Sequence, residues 1–308
     1  MRIRILVLML TTLWTSTGCL RARYVRSDPS ARGVTQERPA GLSEHVVVVS
    51  VDGLRPDAIG TFEAANLKRL VSEGSYTLTA TTILPSKTLP SHTSMLTGQP
   101  PAVHGVSWNN NLALKKRPVT TPTVFGVLRP SGYVTAAFFS KAKFTSLQRQ
   151  GTLDYSQAPG LLTQWRAGRT VRDVERYLAT QRPNLLFIHL GDTDRAGHDA
   201  GWMSPKYGEA VHRVDSAIGE ILAMSERTFG SGNFTFILTS DHGGHDRNHG
   251  SADPRDVTIP WIAWGRGVRT GQLDQSVQTT DTAATILWLF GVGSGNSAGK
   301  PVTDAFEK

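Results

Sequence analysis

The chain has 308 residues, a formal net charge of +8 and a sequence pI of about 9.8. Its length suits one large α/β domain, and its 39% of hydrophobic residues argues against a mainly disordered chain. The arginines are scattered, without a basic run that interleaves aromatic residues. We therefore expect no specific nucleic-acid binding and interpret the positive charge as a field that attracts anions.

The N-terminus has the layout of an export signal. Two arginines precede an apolar run over residues 5–14, which is too short to span a bilayer, and small polar residues follow it. Residues 1–18 are therefore predicted to be a signal peptide. Cys19 ends a Thr-Gly-Cys sequence that resembles the end of a bacterial lipobox. Either Cys19 is lipidated and tethers the protein to a membrane, or cleavage nearby releases a soluble product.

The remaining chain divides into a leader and one domain. Residues 19–43 are rich in Arg, Ser and Pro and are expected to form a flexible leader. Residues 44–308 are expected to form one folded domain. Disulfides are excluded because Cys19 is the only cysteine. The expected location is bacterial, either periplasmic or membrane-anchored.

The folded domain is predicted to open at His45. Residues 46–51 are too continuously apolar for a one-sided sheet, so they are predicted to form a central parallel strand covered on both faces. This strand delivers Asp52 to its carboxyl end, where ligands bind in open α/β sheets. A helix is predicted over residues 63–73 from the spacing of their apolar positions.

A stretch rich in Thr and Ser, residues 79–98, leads into a second predicted helix. Pro90 suits the first turn of this helix and Gly98 suits its end. Thr88 would then lie beside the helix N-terminus, where free N–H groups and the helix dipole favour a phosphate or an alkoxide. A loop that merely caps a helix would have the same composition, so spacing alone leaves both interpretations open.

The later elements follow from strand and helix periodicity. Strands are predicted over residues 134–139, 185–190, 234–238 and 259–264, and helices over residues 123–128, 170–180, 204–224 and 280–290. His212 and Asp215 are expected on the outer face of the long helix. Residues 112–165 give the weakest pattern, and we assign no chemistry to them.

Acidic and histidine residues recur at the carboxyl ends of three predicted strands. Three Asp and three His are enough for two sites with the oxygen and nitrogen ligands that zinc prefers. The candidates are Asp52, Asp194, His198, Asp241, His242 and His249. Asp194 and His198 are expected on a glycine-containing loop. Four other histidines are expected to be buried or to support the loop rather than bind metal, namely His92, His104, His189 and His245.

In combination, these motifs resemble the alkaline phosphatase superfamily, and most closely its nucleotide pyrophosphatase/phosphodiesterase branch. The matching motifs occur in the family's order, at residues 51–53, 85–92, 96–98, 104–106, 194–198, 241–243 and 249–250. The resemblance implies a three-layer αβα sandwich with a mostly parallel central sheet. It also implies a metal-dependent phosphoric ester hydrolase, with phosphodiesterase or nucleotide pyrophosphatase activity on a small phosphorylated substrate.

The resemblance further implies a role for each site residue. One divalent ion, expected to be zinc, would be held by Asp194, His198 and His249, and a second by Asp52, Asp241 and His242. Thr88 would bridge toward the second ion and act as the nucleophile through a phosphothreonine intermediate. Asn109 would donate a hydrogen bond to a phosphoryl oxygen, with the adjacent Asn110 as the alternative.

The sequence leaves the class of substrate undetermined. Only six residues separate His242 from His249, where nucleotide phosphodiesterases usually carry a long insertion, so nucleotide specificity does not follow. Phosphomonoester or phosphonate hydrolysis would use the same residues, with Lys87 as the candidate cation for a doubly charged phosphoryl group. An inactive, lipid-tethered binding protein is a third interpretation. A sulfatase is disfavoured because the sole cysteine lies in the leader and residues 85–88 do not resemble the formylglycine motif.

Overall fold

The structure is a computed structural model that describes residues 22–26, 41–110, 119–149, 151–160 and 163–307. The predicted signal peptide and Cys19 lie outside these residues. Within them, no helix is both long enough and apolar enough to cross a membrane.

The sheet is mostly parallel, as expected. Its strands are β1 (Arg23–Arg26), β2 (His45–Val51), β3 (Ser75–Thr81), β4 (Thr135–Phe138), β5 (Tyr155–Ala158), β6 (Leu185–Leu190), β7 (Phe234–Thr239), β8 (Thr258–Gly265) and β9 (Gly271–Gln272). In the described chain they form one sheet with the order β1-β5-β4-β6-β2-β7-β8-β3-β9. The run from β5 to β7 is parallel, and antiparallel pairing begins on either side, at β1 and β8.

Six of the ten α-helices in the described chain lie close to predicted positions, and the other four were not predicted. The α-helices are α1 (Asp57–Thr61), α2 (Ala65–Glu73), α3 (Thr88–Thr97), α4 (Pro101–His104), α5 (Val124–Leu128), α6 (Ala167–Leu178), α7 (Asp192–Ala200), α8 (Pro205–Phe229), α9 (Pro254–Val257) and α10 (Asp281–Leu289), with 3-10 helices at Ala142–Ser146 and Thr303–Ala305. Gly98 ends α3 in the left-handed conformation, with φ at 67°, which explains the glycine predicted at that end.

Helices cover both faces of the sheet. Val46 and Val48 of β2 pack in one apolar cluster with side chains of α3, α5 and α10. Val47 and Val49 point to the other face and pack with side chains of α2, α6 and α8. Because both faces are buried, β2 has apolar residues at successive positions rather than at alternate ones. The three-layer αβα architecture is thus confirmed.

Part of the expected flexible leader is ordered. Residues Arg23–Arg26 form β1, which pairs antiparallel with β5, and Val25 is buried. The physical reason is that the outer edge of β5 would otherwise present unpaired backbone N–H and C=O groups. The prediction of a flexible leader over residues 19–43 is therefore wrong for this segment.

Asp215 does not lie on the outer face of α8, contrary to expectation, whereas His212 is exposed as predicted. The buried Asp215 carboxylate accepts hydrogen bonds from the backbone N–H groups of Asn66, at 3.1 Å, and Leu67, at 2.8 Å. These groups open α2, whose own N-cap residue, Ala64, has no side-chain acceptor. Asp215 thus caps α2 from a neighbouring helix.

Replacing Asp215 by alanine should lower the free energy of unfolding by about 1–3 kcal/mol, because two N–H groups of α2 lose a charged acceptor. Urea unfolding followed by circular dichroism measures the change. Glu209→Ala on the exposed side of α8 is the matched control and should change stability by less than about 0.5 kcal/mol. An Asp215→Ala protein as stable as the wild type would contradict the capping role.

Candidate metal centre and active site

Three parallel strands bring three aspartates to one edge of the sheet. Asp52 follows β2, Asp194 lies in the first turn of α7 just after β6, and Asp241 follows β7. The register aligns the strand ends, since Ser50 lies opposite both His189 of β6 and Thr239 of β7. The carboxylates consequently converge on one point, although Asp194 lies 142 residues after Asp52 and Asp241 lies a further 47 residues after Asp194.

Asp194 and His198 lie on helix α7 rather than on the expected loop. Their four-residue spacing places both side chains on one face of that helix. Gly197 favoured the prediction of a loop. In the structure it allows the Trp202 ring to pack closely against α7, because a Cβ at this position would lie 2.5 Å from that ring. An aspartate in the first turn also suits the positive end of the helix dipole.

The structure brings together both predicted sets of metal ligands. Asp194, His198 and His249 place one candidate ligand atom each within 4.8 Å of one another, and Asp52, Asp241 and His242 do the same. We call these sets triad 1 and triad 2. The rings of His242 and His249 stack with centroids 3.6 Å apart, so the two triads adjoin.

Backbone carbonyls fix the orientation of the three histidines. The Nδ1 atom of each ring lies 2.8–2.9 Å from a carbonyl oxygen, with His198, His242 and His249 paired to Arg247, Gly243 and Ser86 respectively. A carbonyl can only accept, so Nδ1 carries a proton and Nε2 faces the carboxylates. Burial lowers the pKa of His249 to about 4, so its ring is neutral at pH 7, as a metal ligand must be.

Three buried carboxylate oxygens face these nitrogens without a hydrogen-bond partner among the described residues: Asp52 Oδ1, Asp194 Oδ1 and Asp241 Oδ2. They lie 3.4, 3.3 and 3.2 Å, respectively, from Nε2 of His242, His198 and His242. Two ligands of one tetrahedral ion, with bonds of about 2.0–2.1 Å, lie roughly 3.3–3.4 Å apart. The donor set and its spacing therefore fit two divalent cations.

Lys141, which the sequence analysis did not single out, forms ion pairs with two of the carboxylates. Lys141 Nζ lies 2.6 Å from Asp52 Oδ2 and 2.5 Å from Asp194 Oδ2. Each carboxylate thus offers one oxygen to Lys141 and the other to its own triad. Burial opposes ionisation of Asp52, but Lys141 and a 2.8 Å hydrogen bond from His189 lower its pKa well below the ordinary value.

The expectation that residues 112–165 contribute nothing to the site is wrong, because Lys141 and Lys143 line its cavity. Burial alone would lower the pKa of Lys141, but Asp194 and Asp52 outweigh it and raise that pKa above the ordinary value. Lys143 responds differently, since burial and then the charge of Lys141 lower its pKa to about 8. No local motif marks either residue, because their partners, Asp52, Asp194 and Asn109, lie more than thirty residues away in the sequence.

Thr88 and Asn109 lie beside the triads. Thr88 is the first residue of α3 and is buried, with Oγ1 3.4 Å from Nε2 of His242. The Oδ1 atom of Asn109 accepts from the Leu89 backbone N–H at 2.9 Å and from Lys143 at 3.1 Å. With its oxygen engaged twice, the amide has its Nδ2 group left to donate. The adjacent Asn110 is exposed.

Thr88, Asn109 and the residues of triad 1 line a cavity of about 230 Å³. Its lining consists of Thr88, Asn109, Lys141, Ala142, Lys143, Thr163, Gln164, Asp194, His198 and His249. Lys87, which the sequence suggested as the extra cation, does not belong to this lining. The cavity is large enough for a phosphoryl group and part of a substituent.

Four other histidines lie outside both triads and have hydrogen-bond partners within the protein. His92, His104 and His189 are buried and hydrogen-bonded, and His189 reaches Asp52 directly. His245 places Nδ1 2.7 Å from the Asp256 carboxylate. That contact ties the loop after β7 to α9, consistent with a supporting role.

Comparison with known proteins decides the family. The sequence model of the type I phosphodiesterase/nucleotide pyrophosphatase family matches residues 46–254. The chain belongs to this family. The match includes all six residues of the two triads.

Individual relatives of this phosphodiesterase family member align over shorter segments. Human ectonucleotide pyrophosphatase/phosphodiesterase family member 1 is 25% identical over 67% of this chain, which covers 24% of that protein. Human GPI ethanolamine phosphate transferase 1 is 34% identical over 32% of this chain, which covers 11% of the transferase. The chain therefore spans a small part of the length of these relatives.

Solved structures share the fold. Murine ectonucleotide pyrophosphatase/phosphodiesterase 5 superposes with a TM-score of 0.71 at 17% identity, covering 86% of this chain and 100% of that one. A 2-O GAG sulfatase superposes with a TM-score of 0.70 at 16% identity, covering 88% of this chain and 74% of the sulfatase. Both likenesses confirm the alkaline phosphatase-like fold.

Replacing Lys141 by methionine should lower the free energy of unfolding of the chelator-treated protein by about 3–5 kcal/mol, because Asp52 and Asp194 lose their buried counter-ion. Urea unfolding in a chelating buffer measures this change. Lys143→Met is the matched control, because Lys143 pairs with an amide rather than a carboxylate. It should change stability by less than about 1 kcal/mol. Equal midpoints for the wild type and Lys141→Met would contradict the counter-ion role.

Proposed function

We propose that this protein is a phosphodiesterase that uses Thr88 as its nucleophile and two divalent ions, most simply zinc. The observation that carries the proposal is the pair of Asp/His triads adjoining the Thr88 hydroxyl. The donor set supports zinc because imidazole nitrogen and carboxylate oxygen are its usual ligands alongside thiolate. The names of the relatives suggest nucleotide pyrophosphates, nucleotide diesters and phosphoethanolamine esters as candidate substrates.

Two ions held by triads 1 and 2 would supply Lewis-acid stabilisation of negative charge on the attacking and leaving oxygens. The protein's own residues position the substrate. Asn109 donates its Nδ2–H to a non-bridging phosphoryl oxygen, and α3 directs its N-terminal dipole at Thr88, which favours the alkoxide form of the hydroxyl. Both residues open onto the cavity, so phosphorus can lie between them.

The proposed reaction has two steps at phosphorus. Thr88 Oγ1 forms a bond to phosphorus while the bond to the ester oxygen breaks, and the alcohol leaves with a proton. Water then attacks the phosphothreonine, the Oγ1–phosphorus bond breaks, and the threonine hydroxyl regains its proton. The net change is hydrolysis of one ester bond.

Hydrolysis of a phosphomonoester or a phosphonate is the second candidate. The same nucleophile and ligands would serve it, and Lys143 adds a positive charge beside Asn109 that suits a doubly charged phosphoryl group. A sulfatase gains no support from the shared fold, because fold alone does not specify the reaction.

Replacing Thr88 by alanine should lower kcat by on the order of 10³-fold or more, because the reaction loses its nucleophile. Thr88→Ser keeps a hydroxyl and should keep measurable activity. Release of p-nitrophenolate from bis-p-nitrophenyl phosphate and from p-nitrophenyl phosphate measures turnover. The protein is used without residues 1–19, loaded with zinc, and chelator-treated protein serves as the control.

Each outcome of that assay has a distinct meaning. Chelator-sensitive preference for the diester supports the phosphodiesterase proposal, and preference for the monoester moves the function to the second candidate. An active Thr88→Ala protein with normal metal content would exclude Thr88 as the nucleophile. A metal-free protein that binds phosphorylated ligands without turning them over would favour the inactive binding protein.

We also propose that residues 1–18 are removed on export, that Cys19 is lipidated, and that residues 44–308 form the catalytic domain of a periplasmic or membrane-anchored protein. The arginines, the apolar run and the Thr-Gly-Cys sequence support this layout. Mass spectrometry of the protein isolated from a bacterial membrane fraction should show a lipid-modified N-terminal cysteine. An intact Met1 would contradict the proposal, and an unmodified N-terminus near Cys19 would indicate a soluble export product.

A further inference from the structure

Lys143 is a second positive charge in the cavity, and its hydrogen-bond partner is an amide rather than a carboxylate. It lies on the 3-10 helix Ala142–Ser146, is half-buried, and lines the cavity with Thr88 and Asn109. Lys141 forms ion pairs with two carboxylates, whereas the hydrogen bond of Lys143 goes to the neutral amide oxygen of Asn109. None of the described carboxylates forms a salt bridge with Lys143.

The position of Lys143 relative to the phosphoryl group follows from Asn109. The Oδ1 atom of Asn109 is held by Lys143 and by the Leu89 backbone N–H, while Nδ2 of the same amide is left to donate. An anionic oxygen that accepts from Nδ2 therefore lies within reach of the Lys143 ammonium. Burial, followed by the charge of Lys141, lowers the pKa of Lys143 to about 8, and the attraction of the three aspartates only partly offsets these two effects.

We propose that Lys143 determines specificity by binding a second negative charge of the substrate, located on or beside the reacting phosphorus. This inference rests on the proposed function, since it places phosphorus between Thr88 and Asn109. The charge has two chemical sources. One is the doubly charged phosphoryl group of a monoester or phosphonate, and the other is an acidic group on the second ester substituent of a diester.

Three matched substrates separate these sources, and each releases p-nitrophenolate. Phenyl p-nitrophenyl phosphate carries one charge, p-nitrophenyl phosphate carries two on phosphorus, and p-carboxyphenyl p-nitrophenyl phosphate carries the second on its other ester group. The value of kcat/KM is measured for the zinc-loaded wild type, Lys143→Met and Lys143→Arg. Lys206→Met, which removes an exposed positive charge at the start of α8, is the control.

Lys143→Met should lower kcat/KM about 10- to 100-fold for at least one doubly charged substrate, the scale of a lost charge-assisted hydrogen bond. The substrate that suffers this loss identifies where the second charge lies. For the singly charged diester, kcat/KM should change less than about 3-fold. Lys143→Arg should recover most of the loss. Lys206→Met should affect all three substrates equally. For Lys143→Met, an equal loss on all three substrates, or no loss, overturns the inference.

Binding separates the failure of this inference from the failure of the proposed function. Calorimetric titration of zinc-loaded Thr88→Ala protein with phenyl phosphate and with diphenyl phosphate compares two charges with one. Adding Lys143→Met should weaken phenyl phosphate binding about tenfold more than diphenyl phosphate binding. If that difference appears while the wild type hydrolyses none of the substrates, Lys143 keeps its role and the hydrolase proposal fails. If the wild type hydrolyses diesters and both ligands bind as before, the role of Lys143 is excluded.

Discussion

The rest of the site depends on the burial of three carboxylates at one edge of the sheet. Isolated buried charges are strongly unfavourable, so each must meet a cation or a set of donors. Lys141 meets this demand for Asp52 and Asp194, and the Gly53 backbone N–H donates to Asp241 at 3.1 Å. Each carboxylate is thereby held by one oxygen, which leaves the other free to face a histidine.

Backbone contacts hold this arrangement in place. The Asp194 backbone N–H donates to the Asp52 carbonyl at 2.9 Å, which joins the end of β2 to the start of α7. Gly53 has φ at +71°, and a Cβ there would lie only 3.0 Å from the Asp194 Cα, so a side chain would force the two segments apart. With His198 oriented by a backbone carbonyl as well, triad 1 has its geometry set by the fold, which limits the reorganisation needed to bind an ion.

The sequence predicts those parts of the molecule that local patterns encode. Strand β2 and the order of the Asp and His motifs are readable because burial on two faces and strand-end chemistry leave short-range signals. Lys141 and the capping role of Asp215 leave none, since each is defined by a partner more than fifty residues away. The prediction of a loop in place of helix α7 is wrong for a related reason. Gly197 is required because the Trp202 ring packs against it, and composition does not show this tertiary contact.

Lys141 and Lys143 both line this cavity, but their charges have different partners. The fold is shared with a phosphodiesterase relative and a sulfatase at similar TM-scores, so it cannot be what selects the substrate. Lys141 forms ion pairs with the carboxylates, whereas Lys143 donates a hydrogen bond to Asn109, the amide proposed to contact the phosphoryl group. In the proposed role of Lys143, selection by charge rests on the 3-10 helix Ala142–Ser146 after β4, which is separate from the strands that lead into the triads.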